Sequence, residues 1–258
     1  MTSALRLWPL LTATHRYDKS LSTRGRGAGS VIEAPILAYL IETSQGRILY
    51  DVGCDYAKIA SPTLRERHYA ANAFGVPSME PEQRLPAHLA RLGLRPQDVD
   101  LVILGHLHFD HAGGLGDVGG AEVHVQREEL AAARSGDDPA CFPDEIAGAD
   151  SWTVVDGEYA PVTGLRTLST PGHTAGHMSL WIELPRGAPV VLCGDAADLR
   201  ENLDDEVAPG LCWHDRHEQA VDSIRRLKRL ACAEGAELWP NHDLAFWRGL
   251  RRFPQFHQ

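Results

Sequence analysis

The chain has 258 residues, 43% of them hydrophobic and 23% charged, the balance of an ordinary globular enzyme, with enough length to bury about 70–75% of the surface its unfolded form would expose. No apolar run approaches the ~20 residues of a membrane span. With 25 Lys and Arg against 35 Asp and Glu the net charge is −10, which repels a phosphate backbone, so neither a membrane nor nucleic acid is an expected partner.

Near the N-terminus, Leu5 to Thr12 reads as a first strand; Arg6 and Pro9 interrupt it too early for a signal peptide, and a cytoplasmic location is expected. Thr14 to Glu33 is polar and carries Gly25, Gly27 and Gly29, the pattern of a surface loop of low order. Ile36 to Thr43, a turn through Ser44-Gln45-Gly46, and Arg47 to Gly53 predict a β-hairpin with Asp51 at its exit. Residues 54 to 80 offer only loop and short helix. From Glu82 to Leu92, Leu85, Leu89 and Leu92 recur at helical spacing before Gly93, with Pro86 a candidate starting point.

Leu101 to Leu104 then reads as a short buried strand, and Gly105-His106-Leu107-His108-Phe109-Asp110-His111-Ala112-Gly113-Gly114 follows it. Three histidines and a carboxylate within six residues at a strand's end are metal-ligand chemistry, since imidazole nitrogen and carboxylate oxygen both bind zinc-like ions and a compact turn lets them converge. Single histidines are more often plain polar loop residues; four ligand-type residues in six positions reverse that preference. One loop cannot hold two ions, so matching ligands are expected further along the chain.

Glu122 to Gln126 predicts a strand and Arg127 to Arg134 a helix, while Ser135 to Asp150, with Pro139, Pro143 and several acids, is long enough to be a lid or pocket wall. Met178 to Leu184 and Pro189 to Asp195 form a second apolar hairpin in the same order as the first: strand, acid, glycine-bearing turn, strand, then Asp beside Gly. The whole chain, 1 to 258, is accordingly read as a single domain of two related halves, in an α/β (α+β) arrangement of two sheets face to face with helices outside. A last helix runs from about Asp215 to Ala233, with Asp215 and Glu218 spaced like a capping box and Val221, Ile224, Leu227 and Leu230 on one face. His214 and His217 read as helix-start residues rather than a second metal site. The five cysteines, Cys54, Cys141, Cys193, Cys212 and Cys232, never form a C-x-x-C pair, which argues against a disulfide framework and a cysteine zinc site.

Three later segments complete the pattern: Thr170-Pro171-Gly172-His173-Thr174-Ala175-Gly176-His177, Cys193-Gly194-Asp195-Ala196, and Trp239-Pro240-Asn241-His242-Asp243. Taken in order, H-x-H-x-D-H, P-G-H-T, G-D and a final His resemble the metallo-β-lactamase superfamily with a complete dinuclear set. The resemblance implies an αββα sandwich of two mixed β-sheets flanked by helices. It also implies two divalent metal ions, with His106, His108 and His173 on one, Asp110, His111 and His242 on the other, and Asp195 bridging them. Zinc suits five imidazoles and two carboxylates best, though iron, cobalt or manganese accepts the same ligands.

Among relatives, a flavodiiron protein would carry Glu where His108 stands, and many β-lactamases carry Cys where Asp195 stands. Nuclease branches would be expected to offer basic surface. The chain most resembles N-acyl homoserine lactonases, over nearly its whole length; besides the metal segments, Arg200 to Val207 and Ser223 to Lys228 look like segments of that branch. The implied reaction is opening of an N-acyl homoserine lactone or related small lactone by a hydroxide bridging the two ions, with Asp110 passing a proton to the leaving alkoxide. The alternatives are a thioester or phosphodiester hydrolase on the same centre, or a non-catalytic member of the fold. The expected partner is a small-molecule lactone, and the expected assembly a monomer or homodimer.

One residue departs from the lactonase pattern. Those enzymes usually have a Tyr three residues after the bridging Asp, donating to the lactone, and this chain has Asp198. An ionised carboxylate accepts hydrogen bonds and donates none, so Asp198 either binds a donor or cationic group on a less usual lactone or points away. Asp51 and His177 match neighbours of the family's metal site, with ordinary strand-end and turn hydrogen bonding as the alternative. Phe109 is a candidate for either pocket or core, and Trp152, Phe142 and Met79 are pocket candidates on position alone.

Overall fold

The computed structural model describes residues 2–70 and 74–258; of the stretch 54 to 80 read as loop and short helix, residues 71–73 lie outside the described residues. The strands are β1 (Ala4–Asp18), β2 (Val31–Thr43), β3 (Gly46–Tyr50), β4 (Leu101–Ile103), β5 (Glu122–Gln126), β6 (Thr153–Val155), β7 (Leu165–Ser169), β8 (Met178–Ile182), β9 (Val190–Leu192) and β10 (Glu237–Trp239). The α-helices are α1 (Tyr56–Ala60), α2 (Pro62–Tyr69), α3 (Leu85–Arg91), α4 (Phe109–Ala112), α5 (Arg127–Ser135), α6 (Arg200–Asp205), α7 (His217–Glu234) and α8 (Leu244–Gly249). β1 to β6 form one sheet in sequence order, antiparallel through β3 and parallel beyond it; the second sheet runs β10-β9-β8-β7, with only β10 and β9 parallel.

Strand alternation accounts for the layers. In β2 to β4, Ala38, Leu40, Leu49 and Val102 face a core shared with Leu85 and Leu89 of α3 and Leu130 and Ala133 of α5. Their neighbours Tyr39, Ile41, Ile48, Tyr50 and Ile103 face the other way, onto Met178, Leu180, Ile182, Val190, Leu192 and Trp239 of the second sheet. On that sheet's far side Trp181 and Val191 meet Ile224 and Leu227 of α7. The result is the expected four-layer order, helix, sheet, sheet, helix. Among the described residues no helix is long and apolar enough to cross a membrane.

Several boundaries differ from the sequence reading. β1 does not stop at Thr12 but pairs with β2 as far as Asp18↔Val31, so the loop expected from Thr14 to Glu33 shrinks to the residues between the two strands. The polar run there faces a cleft on one side and solvent on the other, with His15 buried and Arg16 exposed. β6, β7 and β10, too short or too polar to stand out, were not anticipated. The helix expected from Glu82 begins at Leu85, with Pro86 in its first turn. The capping box at Asp215 is absent: Asp215 has φ 57° and a side chain 97% exposed, and α7 starts at His217 with no side-chain cap.

His88 on α3 is 5% exposed. Its Nε2 lies 2.9 Å from the Leu11 carbonyl and so carries the hydrogen of that bond, while Phe253 packs edge-on at 5.1 Å. Burial, with Arg91 nearby, holds its pKa below 6.5, so the folded chain refuses a proton that the unfolded chain accepts. The contribution of neutral His88 is therefore present above pH 6.5 and lost as pH falls below it. His88→Gln is expected to flatten the fall in stability between pH 7 and 5 by up to about 1.4 kcal/mol per pH unit. Parallel thermal-unfolding curves for variant and parent would disprove it.

Candidate metal centre

The candidate ligands emerge at the carboxyl ends of strands, where side chains from separate loops can meet in one crevice. β4 leads to His106, His108 and α4; β7 leads to His173; β9 leads to Asp195; and β10 leads to His242. The turn after α4 lies directly on the backbone after β3, so close that a Cβ at Gly113 would sit 2.6 Å from the Asp55 amide nitrogen and one at Gly114 2.1 Å from the Val52 carbonyl oxygen. The two glycines closing the histidine motif are thus there for backbone approach.

Two groups of donor atoms, His106, His108, His173 and Asp110, His111, His242, each lie within 4.8 Å of one another, and Asp195 stands between the groups. Its carboxylate is 3.8 Å from His106 Nε2, 3.5 Å from His173 Nε2, 3.3 Å from His111 Nε2 and 3.2 Å from His242 Nε2. Ligands at ~2.05 Å in a tetrahedron are separated by about 3.4 Å, so these spacings fit donors around ions. All seven sequence-predicted ligands are brought together.

Four of the five imidazoles are oriented by a hydrogen bond of the outer nitrogen. His111 Nδ1 meets Asp51 Oδ2 at 2.8 Å, His173 Nδ1 meets the Leu211 carbonyl at 3.0 Å, His242 Nδ1 meets the Pro35 carbonyl at 2.9 Å, and His108 Nε2 meets Asp138 Oδ2 at 2.9 Å. In each of these four the outer nitrogen is occupied and the inner one faces the centre, where a cation would take its lone pair, the arrangement a ligating histidine needs. His106 is fully buried with neither ring nitrogen partnered, and His111 Nε2 is likewise unpaired. Such orphaned acceptors are costly unless a cation takes their place; the donor set fits a pair of divalent ions.

Asp51, reached in a left-handed conformation at the end of β3, also accepts from Gly105 N–H at 2.7 Å, so one carboxylate fixes both ends of the histidine motif. His177 is not in either ligand group. Its Nε2 accepts from Asp195 N–H (2.9 Å), its Nδ1 donates to Thr170 Oγ1 (2.8 Å), Thr170 donates to Ser179 Oγ (2.9 Å), and Ser179 donates to the Cys193 carbonyl (2.7 Å). Burial pushes the His177 pKa down to about 3, consistent with its neutral acceptor role. Asn241 Nδ2 donates to Asp195 Oδ1 at 3.0 Å.

A cleft opens onto this centre, with room beside the ligand groups for part of a small molecule. Phe109, Phe74, Leu21 and Leu211 give it apolar walls, and Asp110 and Asp198 face into it with Tyr17. Asp198 does not point away. It is 5% exposed with Oδ1 unpartnered, and in the metal-free chain burial and the neighbouring Asp195 push its pKa up to about 8. Of the other pocket candidates, Phe142 stacks on Phe109 (5.2 Å, 15°) and Met79 packs in the same apolar cluster, so both support the wall from behind. Trp152 lines a separate groove.

Asp138, Asn241 and Tyr17 were not singled out from sequence. Nothing in a run such as Gly136-Asp137-Asp138-Pro139 distinguishes the acid that meets His108 from its neighbour. Asp138 belongs to the 135–150 segment anticipated as a lid or pocket wall, and Ala140 of that segment lines the cleft. Cys141 lies close enough to join His108 and Asp138 as a ligand group, but burial pushes its thiol far up, and a protonated thiol is a poor ligand. His214 and His217 sit at the start of α7 and join no ligand group among the described residues.

The profile of the metallo-beta-lactamase superfamily matches residues 32–238. An N-acyl homoserine lactonase of Bacillus cereus is 34% identical over 241 residues, 93% of each chain. The lactonase AttM of Rhizobium radiobacter is 28% identical over 98% of each. A solved N-acyl homoserine lactone hydrolase, with the product N-hexanoyl-L-homoserine bound at its catalytic metal centre, superposes with a TM-score of 0.89 at 32% identity, covering all of both chains. By profile, by identity over nearly its full length and by fold, the chain belongs to the metallo-beta-lactamase superfamily and, within it, to the family of the N-acyl homoserine lactonases.

Proposed function

We propose that this chain is a metal-dependent lactonase that opens N-acyl homoserine lactones or related small lactones. Its two divalent ions, zinc by the donor set, would be held by His106, His108 and His173 on one side and Asp110, His111 and His242 on the other, with Asp195 shared. The observation that carries the reading is the convergence of these seven side chains beneath a cleft with apolar walls, in a chain one-third identical to lactonases. Bound there, such ions supply an activated water and a Lewis acid for a carbonyl.

The protein's own part is to place and to exclude. Phe74, Phe109, Leu21 and Leu211 offer an acyl chain an apolar surface and keep water from the reacting end. Asp110, a carboxylate lining the cleft, would take the proton that the attacking water loses and pass it to the leaving oxygen; its Oδ2 lies 3.8 Å from both His111 Nε2 and His242 Nε2. Asp110→Asn is therefore expected to lower turnover by about 10²-fold or more while bound metal falls far less; equal losses in the two would assign Asp110 to ligation alone. Asp198 lines the cleft with Oδ1 unpartnered, and is the side chain placed to bond a polar group on the substrate. Asp198→Tyr should then reorder the preferred lactones, and an unchanged ranking would remove Asp198 from substrate choice.

The whole reading is tested by a pH-indicator hydrolysis panel of acyl homoserine lactones of several chain lengths, simple γ- and δ-lactones, an aromatic lactone, a thioester and a phosphodiester. Activity confined to the last two would overturn it, and fewer than one metal per chain after metal-replete expression would favour a non-catalytic role.

A further inference from the structure

Glu129 is an acid that neither the cleft nor the ligand groups use. It sits in the first turn of α5, 2% exposed, in the sequence Arg127-Glu128-Glu129-Leu130. Its two carboxylate oxygens part company: Oε1 accepts from Leu107 N–H at 3.0 Å, and Oε2 accepts from Gly176 N–H at 2.9 Å. Leu107 lies between His106 and His108; Gly176 lies three residues beyond His173. One buried carboxylate therefore joins the two loops that carry all three members of one ligand group. The second group, Asp110, His111 and His242, makes no hydrogen bond to it among the described residues.

The local packing is built around this contact. A Cβ at Gly176 would lie 2.4 Å from the Glu129 amide nitrogen, so only glycine lets the loop come down onto the start of α5. Burying a carboxylate is expensive, and burial does push the Glu129 pKa up while the Thr174 hydroxyl, the two N–H donors and the nearby His108 pull it back. An apolar side chain would fill the same space without that penalty, but would leave the Leu107 and Gly176 amides unpaired inside the protein.

We infer that Glu129 is a positioning residue for the metal centre: it clamps the 106–108 and 173–176 loops to one another and so sets the affinity of the ion held by His106, His108 and His173, and not that of its neighbour. The inference rests on the metal reading proposed above and predicts an asymmetry between the two ions that the reading alone does not. Glu129→Gln keeps the shape but replaces one acceptor oxygen with an NH₂, which cannot receive an amide N–H, so one loop is released.

The test is stepwise Zn²⁺ binding to chelator-stripped protein in competition with a chromophoric chelator, comparing the parent, Glu129→Gln and Leu227→Ala, a cavity variant in the α7 core that touches neither clamped loop's hydrogen bonds to Glu129. Two ions binding to the parent is the control for the metal reading; fewer would sink that reading and this one together. With two bound, we expect Glu129→Gln to weaken one site 10- to 100-fold and the other by less than about threefold, with Leu227→Ala unselective. Equal weakening of both sites, no weakening, or the same asymmetry in Leu227→Ala would overturn the clamp. If Glu129→Gln does not fold, amide exchange in the metal-free parent decides. Leu107 and Gly176 should exchange as slowly as the strand amides of β4 and β8, and loop-like exchange at either would overturn the clamp.

Discussion

Asp195→Asn is expected to lower lactone hydrolysis by about 10³-fold or more, with bound metal falling below two ions per chain. Asp195 is the side chain whose oxygens approach members of both ligand groups, at 3.2 to 3.8 Å from four imidazoles. Asparagine offers a single acceptor oxygen and no negative charge, so one ion loses an anionic ligand. An ion pair that stabilises a developing oxyanion contributes several kcal/mol, and each 1.4 kcal/mol is tenfold in rate. Metal analysis alongside kcat/KM checks the proposal; a variant that keeps both ions and most of its activity would show that Asp195 does not join the two groups.

The second large effect is on stability and lies outside the centre. Lys58 on α1 has a side chain only 3% exposed, with Nζ 2.7 Å from Glu145 Oε1, equally buried, and 2.8 Å from the half-exposed Asp144 Oδ2. It also lies 5.1 Å from the Phe142 ring, which in turn stacks on Phe109. Lys58→Met strands a buried carboxylate and is expected to cost about 3–5 kcal/mol. In a chain of this size that is a fall of roughly 10 °C in Tm. Burial already pushes Glu145 up to about 8 despite Lys58. An acid whose folded pKa is raised destabilises as pH rises from the unfolded value toward the folded one. The loss should therefore grow as pH rises through about 8, where Glu145 of the parent ionises against Lys58, and be smaller below it. The double variant Lys58→Met, Glu145→Leu should recover most of it, because neither charge is then buried. A single variant that melts within 2 °C of the parent would show that the pair does not hold this wall.

The ligands were legible because metal binding concentrates rare residue types at short spacing, and because each cluster follows an apolar strand and adjoins a glycine or proline. The central strands and hairpins were legible for the same reason that they are central: a strand buried on both faces is apolar throughout. What failed to show was the rim. Thr14 to Asp18 reads as a loop because its polar residues suggest water, yet His15 and Tyr17 face the cleft while the backbone stays in the sheet. The supporting acids were hidden by chemistry they share with the surface. Glu129 and Glu128 are adjacent and identical in type, and only the helical period that buries Leu130 and Ala133 places Glu129 on the inner side. Capping at Asp215 failed because a good cap spacing does not fix the φ of the capping residue, here 57°.

The hydrogen bonds that leave Asp195 through His177, Thr170 and Ser179 end on the carbonyl of Cys193, two residues before they began. They form a closed circuit with a fixed sense. Its first member is a backbone amide, which has no proton to release, and its last is a carbonyl, which has none to pass on. The circuit therefore cannot conduct. A proton set free at the centre during turnover has no exit along this circuit, whereas Asp110 and Asp198 stand on the cleft side.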